Sequence, residues 1–144
     1  MSTEADTEAD LGLLLGAMSP QQRPGTYVFV TVEDQRARPD VQVLASVTEP
    51  EGLTLVTTRE DADRAGLAYG FLAAWITLRV HSALDAVGLT AAVSTALAGE
   101  GISCNVIAGY HHDHLLVPVG RLGDALGVLG RLSAGARRGT AWRP

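Results

Sequence analysis

The sequence has little with which to do covalent or phosphate chemistry. It holds a single cysteine, Cys104, so no internal disulfide can form and no Cys-x-x-Cys pair is present to carry electrons or bind zinc. No glycine-rich loop leads into Lys-Ser or Lys-Thr, and no GxGxxG lies between a strand and a helix, so the usual cradles for nucleotide phosphates are missing. Basic residues are few, 11 against 16 acidic ones for a net charge of -5. Apart from Arg137 and Arg138 they are scattered, which leaves a nucleic-acid backbone little to bind. No apolar run approaches the ~18 residues of a membrane span, and no charged n-region precedes an apolar h-region. These absences lead us to expect a soluble cytoplasmic protein with no cofactor and with neither nucleic acid nor membrane among its partners.

What is present suits a compact domain. Across 144 residues, 47% are hydrophobic, enough for a sizeable core without metal or disulfide. That share is slightly apolar for a monomer, so a homodimer is expected. Residues 1–10 (MSTEADTEAD) carry four acids and read as a disordered acidic tail, with order starting near Leu11. Leu11, Leu13, Leu14 and Leu15 form a short helical or extended apolar lead, and Ser19-Pro20 with Arg23-Pro24-Gly25 reads as a turn.

Two similar patterns follow. Tyr27–Val32 and Trp75–Val80 are rich in β-branched and aromatic residues, the mark of strands. After the first come Val41–Val47, a Glu49-Pro50-Glu51-Gly52 turn, Leu53–Thr57 and a helix start at Thr58–Asp63. After the second come a helix, Ile102–Ala108, a turn at His111–Asp113, His114–Val119 and a last helix from about Arg121. Val43-Leu44-Ala45-Ser46 aligns with Val106-Ile107-Ala108-Gly109, and Leu53-Thr54-Leu55 with Leu115-Leu116-Val117, which puts Arg59 on Arg121 and supports an internal repeat. Only eight residues separate Val32 from Val41, too few for a crossover helix, so the first half is a reduced copy. In the second half Leu89, Ala92, Val93, Ala96 and Leu97 make one apolar helical stripe, stopped by Gly99 and Gly101. Leu122, Ala125, Leu126, Leu129 and Leu132 make another. The second half reads β-α-β-β-α, one strand short of a ferredoxin-like unit. That strand comes either from the first half or across a dimer.

The run HSALDAVGLTAAVSTALAGEGISCNVIAGYHHDHLLVPV (His81–Val119) resembles ACT-domain proteins, and PGTYVFVTV and EPEGLTLV before it resemble a small bacterial ACT-like family that joins a reduced and a full copy in tandem. The resemblance spans about Leu13 to Leu132. It implies an α+β fold of tandem ferredoxin-like units, antiparallel sheets with helices packed on one face, the first unit (11–70) reduced and the second (71–134) full. A flexible C-terminal tail over 135–144, including Trp142, follows. It also implies a regulatory, non-catalytic role in sensing an amino acid or similar small zwitterion. Pairing with another chain and no small ligand is the alternative.

In such domains the loop from the first strand into the first helix, here Ser82–Gly88, receives the amino acid. Val87, Gly88 and Leu89 would present backbone there and Ser82 or Thr90 a hydroxyl, while Asn105 would accept from the ammonium. His81 and His114 would line the cleft and make it pH sensitive. The alternative is structural: Ser82 and Asp85 cap the helix, Gly88 turns the chain and Asn105 closes a strand end. On this reading Gly88→Val should block the ligand while leaving much of the fold, and Val93→Asp should unfold it by burying a charge. His111, His112, Asp113 and His114 resemble a metal cluster, but on a strand only His112 and His114 share a face. Two ligands fall short of a structural zinc's four, so no metal is expected. Cys104 is expected to pack as a small apolar residue, the alternative being a nucleophile served by His114 and Asp113.

Overall fold

The computed structural model describes residues 4–34, 36 and 38–139. Helix α1 (Glu4–Ala17) leads into β1 (Pro20–Val32), β2 (Ala45–Glu49), β3 (Gly52–Thr58), α2 (Arg59–Arg64), β4 (Ala73–Leu78), α3 (Leu89–Gly99), β5 (Asn105–Ala108), β6 (Asp113–Pro118) and α4 (Leu122–Arg137), with a 3-10 turn at Val119–Arg121 before α4. All six strands form one antiparallel sheet in the order β2-β3-β1-β4-β6-β5.

Strand β1 decides this architecture. The Ser19–Gly25 stretch, expected as a turn, belongs to it: Pro20–Arg23 pair with Leu78–Trp75 of β4, and Tyr27–Val32 pair with Thr58–Leu53 of β3. Prolines are tolerated where the ladder does not need their missing N–H. The register shifts between Arg23 and Tyr27, where Gly25 takes φ +112°. The Tyr27 hydroxyl closes this bulge by donating to the Pro24 carbonyl at 2.6 Å. The strand missing from the second copy is thus β1, supplied within the chain. Reading β1-β4-β6-β5 and β4-β1-β3-β2 gives two four-stranded units that share their two central strands.

Side-chain alternation puts both helix-side cores on one face. Ala74, Ile76 and Leu78 of β4 and Leu115 and Val117 of β6 pack under α1, α3 and α4 through Leu15, Met18, Leu89, Val93, Leu97 and Leu129. Val28, Val30, Leu53 and Leu55 pack under α2 at Ala62. Among the described residues no helix covers the opposite face. There Tyr27, Val56, Ala73, Trp75 and Leu116 bury one another, and the Arg23 guanidinium lies over the Trp75 ring at 5.4 Å.

Several boundaries differ from expectation. Helix α1 (Glu4–Ala17) takes in most of the acidic segment read as a tail; Glu and Ala are good helix formers, and the helix is anchored by Leu15 at its far end. Residues 41–44 precede rather than form β2, with Leu44 N–H donating to Val56 carbonyl at 2.9 Å. The tail expected over 135–144 starts inside α4, and Trp142 lies outside the described residues. No helix among the described residues is long and apolar enough to cross a membrane.

Candidate functional site

Strand β4 ends at Leu78, opposite Asp113, which in turn faces Ala108 of β5. The loop 79–88 and the turn 109–112 therefore leave the same end of the sheet. Gly109 N–H donates to the His112 carbonyl at 2.9 Å, tightening the turn. Between loop and turn lies a cleft of about 480 Å³ lined by His81, Ser82, Ala83, Leu84, Asp85, Tyr110 and His111. His81 and His111 meet edge to face with ring centroids 6.4 Å apart, and the His112 ring centroid stands 5.2 Å from that of His81. His112 Nδ1 lies 3.4 Å from the Val80 carbonyl, so its Nδ1–H donates and its Nε2 is the nitrogen left over. The rim is apolar: Leu84 is 70%, Val87 72% and Tyr110 82% exposed.

The helix that follows the loop starts without a side-chain cap. Gly88 is the N-cap residue of α3 at φ +106°, and no side chain bonds the first turn, so neither Ser82 nor Asp85 caps it. Ser82 Oγ is instead 3.5 Å from the Ala83 carbonyl. The first N–H groups of α3 have no intrahelical partners and give that end a positive potential. A Cβ at Gly88 would lie 2.9 Å from Leu11 Cδ2 of α1. A side chain there takes a backbone conformation that L residues rarely adopt and pushes on the end of Leu11, so Gly88→Val lowers stability as well as affecting a ligand.

The residues expected to share one site fall in two places. His81 and Ser82 line the cleft, and Val87, Gly88, Leu89 and Thr90 form the approach to α3, with Leu89 buried in the core. Asn105 and His114 lie on the helix-free face of the sheet, because they alternate in phase with Leu116 and Trp75 rather than with Leu115 and Ile76. Asn105 also sits opposite Leu116, well along β6 from the cleft end. Leu84, Asp85, Tyr110 and His111 complete the lining. The sequence signal that could have joined them is the pairing of Ala108 with Asp113, which brings the turn beside the loop after β4.

His114 belongs to a separate cluster. Its Nδ1 is 2.9 Å from Thr77 Oγ1 and accepts from Trp75 Nε1 at 3.2 Å, and its ring lies 5.3 Å from that of Trp75. Burial first, then the neighbouring His112, hold its pKa below the ordinary imidazole value, with Asp113 opposing and Arg23 adding to the shift. Cys104 packs against the helix-side core, on the other face from His114, and burial pushes its thiol up to about 11. A thiol held so high is protonated and a poor nucleophile. Among the described residues no group of three or more His, Cys, Asp or Glu side chains is placed to hold a metal ion.

Two ACT-domain family models match the chain, over residues 6–74 and 72–131, meeting at the start of β4. A solved structure of a Vibrio cholerae protein of unknown function, described as a possible transport protein, is 47% identical with TM-score 0.77, and the match covers 88% of this chain and 98% of that one. An Agrobacterium tumefaciens protein matches at TM-score 0.63 and 19% identity over 81% and 89% of the two chains. The ligand-free regulatory subunit of aspartate kinase from Thermus thermophilus matches at TM-score 0.57 and 10% identity over 81% and 98%. The last two likenesses concern the fold alone. No curated protein matches.

Proposed function

This chain belongs to the ACT-domain family, whose members are small-ligand regulatory modules, and from that premise we propose that it is a non-catalytic cytoplasmic sensor that binds an amino acid or similar zwitterion in the cleft between the loop 79–88 and the turn 109–112. The observation that carries the reading is the cleft itself, which sets one carboxylate, Asp85, among two imidazoles, His81 and His111, and the Ser82 hydroxyl. Asp85 takes the ammonium, in place of the distant Asn105. His81, Ser82 and His111 take the carboxylate, and the uncapped start of α3, where Val87, Gly88, Leu89 and Thr90 lie, adds a favourable potential for an anion. The two units are taken as 11–70, reduced, and 71–134, full. The output is a change in association, since the exposed rim of Leu84, Val87 and Tyr110 is a surface that a second copy of the chain would cover.

The same rim favours a second reading, in which the cleft edge docks another chain and holds nothing small. The two part company in a thermal-shift screen of the purified protein against the twenty amino acids at millimolar concentration. A ligand that prefers the native state raises Tm by mass action, about 2.7 kcal/mol of added stability at a hundredfold excess over Kd. A saturable shift for one amino-acid class, lost in Asp85→Ala, is the expected result. A flat screen would leave the docking reading standing.

A further inference from the structure

We propose that the cleft binds its carboxylate ligand together with a proton, taken up by the His81–His111 pair, so that occupancy rises as pH falls through the range in which histidines titrate. This rests on the reading of the cleft as an amino-acid site and adds the charge state that the site must adopt.

Three imidazoles are gathered where the loop 79–88 meets the turn 109–112. The rings of His81, His111 and His112 form a triangle with centroid separations of 5.2, 6.4 and 6.4 Å. His112 is turned by its contact with the Val80 carbonyl, while His81 and His111 line the space open to a ligand. The other titratable groups facing that space are the Asp85 carboxylate on the loop and the Tyr110 phenol on the turn. Behind them stand Arg79 at the end of β4, Asp113 at the start of β6, and His114 on the far face of the sheet.

Charge follows from this inventory. With its imidazoles neutral, the lining carries one charge, the Asp85 carboxylate, and turns an anion away. One proton on the His81–His111 pair balances Asp85 and leaves a positive charge to meet the ligand's carboxylate while Asp85 meets its ammonium. A carboxylate within reach of both His81 and His111 accepts a charge-assisted hydrogen bond from each ring that is protonated. What a bound anion does for the proton, the proton does equally for the anion. Asp85 meanwhile holds the ammonium, so the ligand is held most tightly at both ends when the histidines are charged.

The test is calorimetric titration of the full chain with each of the twenty amino acids at about pH 7.8 and about pH 5.8, a span that brackets histidine titration, in two buffers of different ionisation heat. Circular dichroism at the lower pH confirms that the chain is folded. The amino acid that binds best should bind about tenfold more tightly at the lower pH, with uptake of about one proton from the buffer. Its methyl ester, which lacks the carboxylate, should show no such gain. His81→Gln with His111→Gln should abolish the pH dependence, and His114→Phe should keep it. Binding of equal strength at both pH values with no proton uptake overturns the proton linkage and leaves the amino-acid site intact. Linkage that survives in the double variant and vanishes in His114→Phe likewise overturns it. Absence of binding at either pH overturns both readings together.

Discussion

His114 Nδ1 sits beside the Trp75 indole N–H, which can only donate and is shared between Nδ1 and the Thr77 hydroxyl at 3.2 Å each, with the Thr77 hydroxyl itself 2.9 Å from Nδ1. A neutral Nδ1 with a free lone pair accepts from the indole. Protonating Nδ1 would set a donor against a donor inside a half-buried pocket, consistent with the lowered pKa. The sign of the linkage is then fixed. The folded chain resists a proton that the unfolded chain accepts near the ordinary value of 6.5, so the stability contributed by neutral His114 is present above that pH and is lost as pH falls through the lower folded value. The unfolding midpoint in urea should drop between about pH 7 and about pH 5, and His114→Phe should flatten that drop. An unchanged slope in the variant would show that the acid sensitivity lies elsewhere. At this scale the sequence told part of the story: His81 and Ser82 could be placed beside α3 from the loop alone. Asn105 and His114 could not, because alternation along a strand separates two faces without saying which one bears the helices. His111 was legible as part of a histidine turn, but nothing linear tied it or Tyr110 to the loop after β4, since only the β4–β6–β5 register carries them there.

Among the elements, α1 and α4 hold the N-terminal segment in place. The Ser133 hydroxyl, buried on α4, lies 3.3 Å from the Gly16 carbonyl and 3.2 Å from that of Met18, and Arg137 Nη1 donates to Gly16 at 3.1 Å. These are the carbonyls that end α1, which have no partner inside their own helix. Removing the hydroxyl in Ser133→Ala should cost about 1–2 kcal/mol, and Leu15→Ala, which empties a core position at 1% exposure, about 2–5 kcal/mol. Both are read from urea unfolding; a cost below ~0.5 kcal/mol for Leu15→Ala, the range of surface changes, would mean that α1 is not part of the cooperative core. The stripe Leu89, Ala92, Val93, Leu97 made α3 plain in the sequence, and all four are buried. Helix α1 was hidden because its first two turns, Glu4 to Asp10, offer no apolar face to read. The first part of β1 was hidden because Pro20, Pro24 and Gly25 spell a turn by composition, and only the partner strand β4 overrides it.

For the whole molecule the shared pair β1 and β4 matters most. Each of the two strands completes the unit to which the other belongs, so the boundary between the two family matches at residues 72–74 is not a seam along which the protein separates. Independent domains usually meet across a modest surface and can fold alone. Here a cut at residue 70 removes β4 from the first unit and β1 from the second. The full chain should therefore unfold in one transition by circular dichroism, whereas fragments 1–70 and 71–144 should each lack a cooperative melt. A fragment that melted cooperatively alone would show that its unit closes without the borrowed strand. The arrangement also bears on the order in which the ribosome delivers the chain. Strand β1 emerges among the first residues, with Tyr27, Val28 and Val30 destined to be buried, yet its partner β4 follows only after β2, β3 and α2. During that interval a nascent chain exposes an apolar strand edge, the kind of surface that drives misassembly. Translation pauses or chaperone contact just before Leu78 emerges would thus weigh on the yield of this protein more than similar delays near its end.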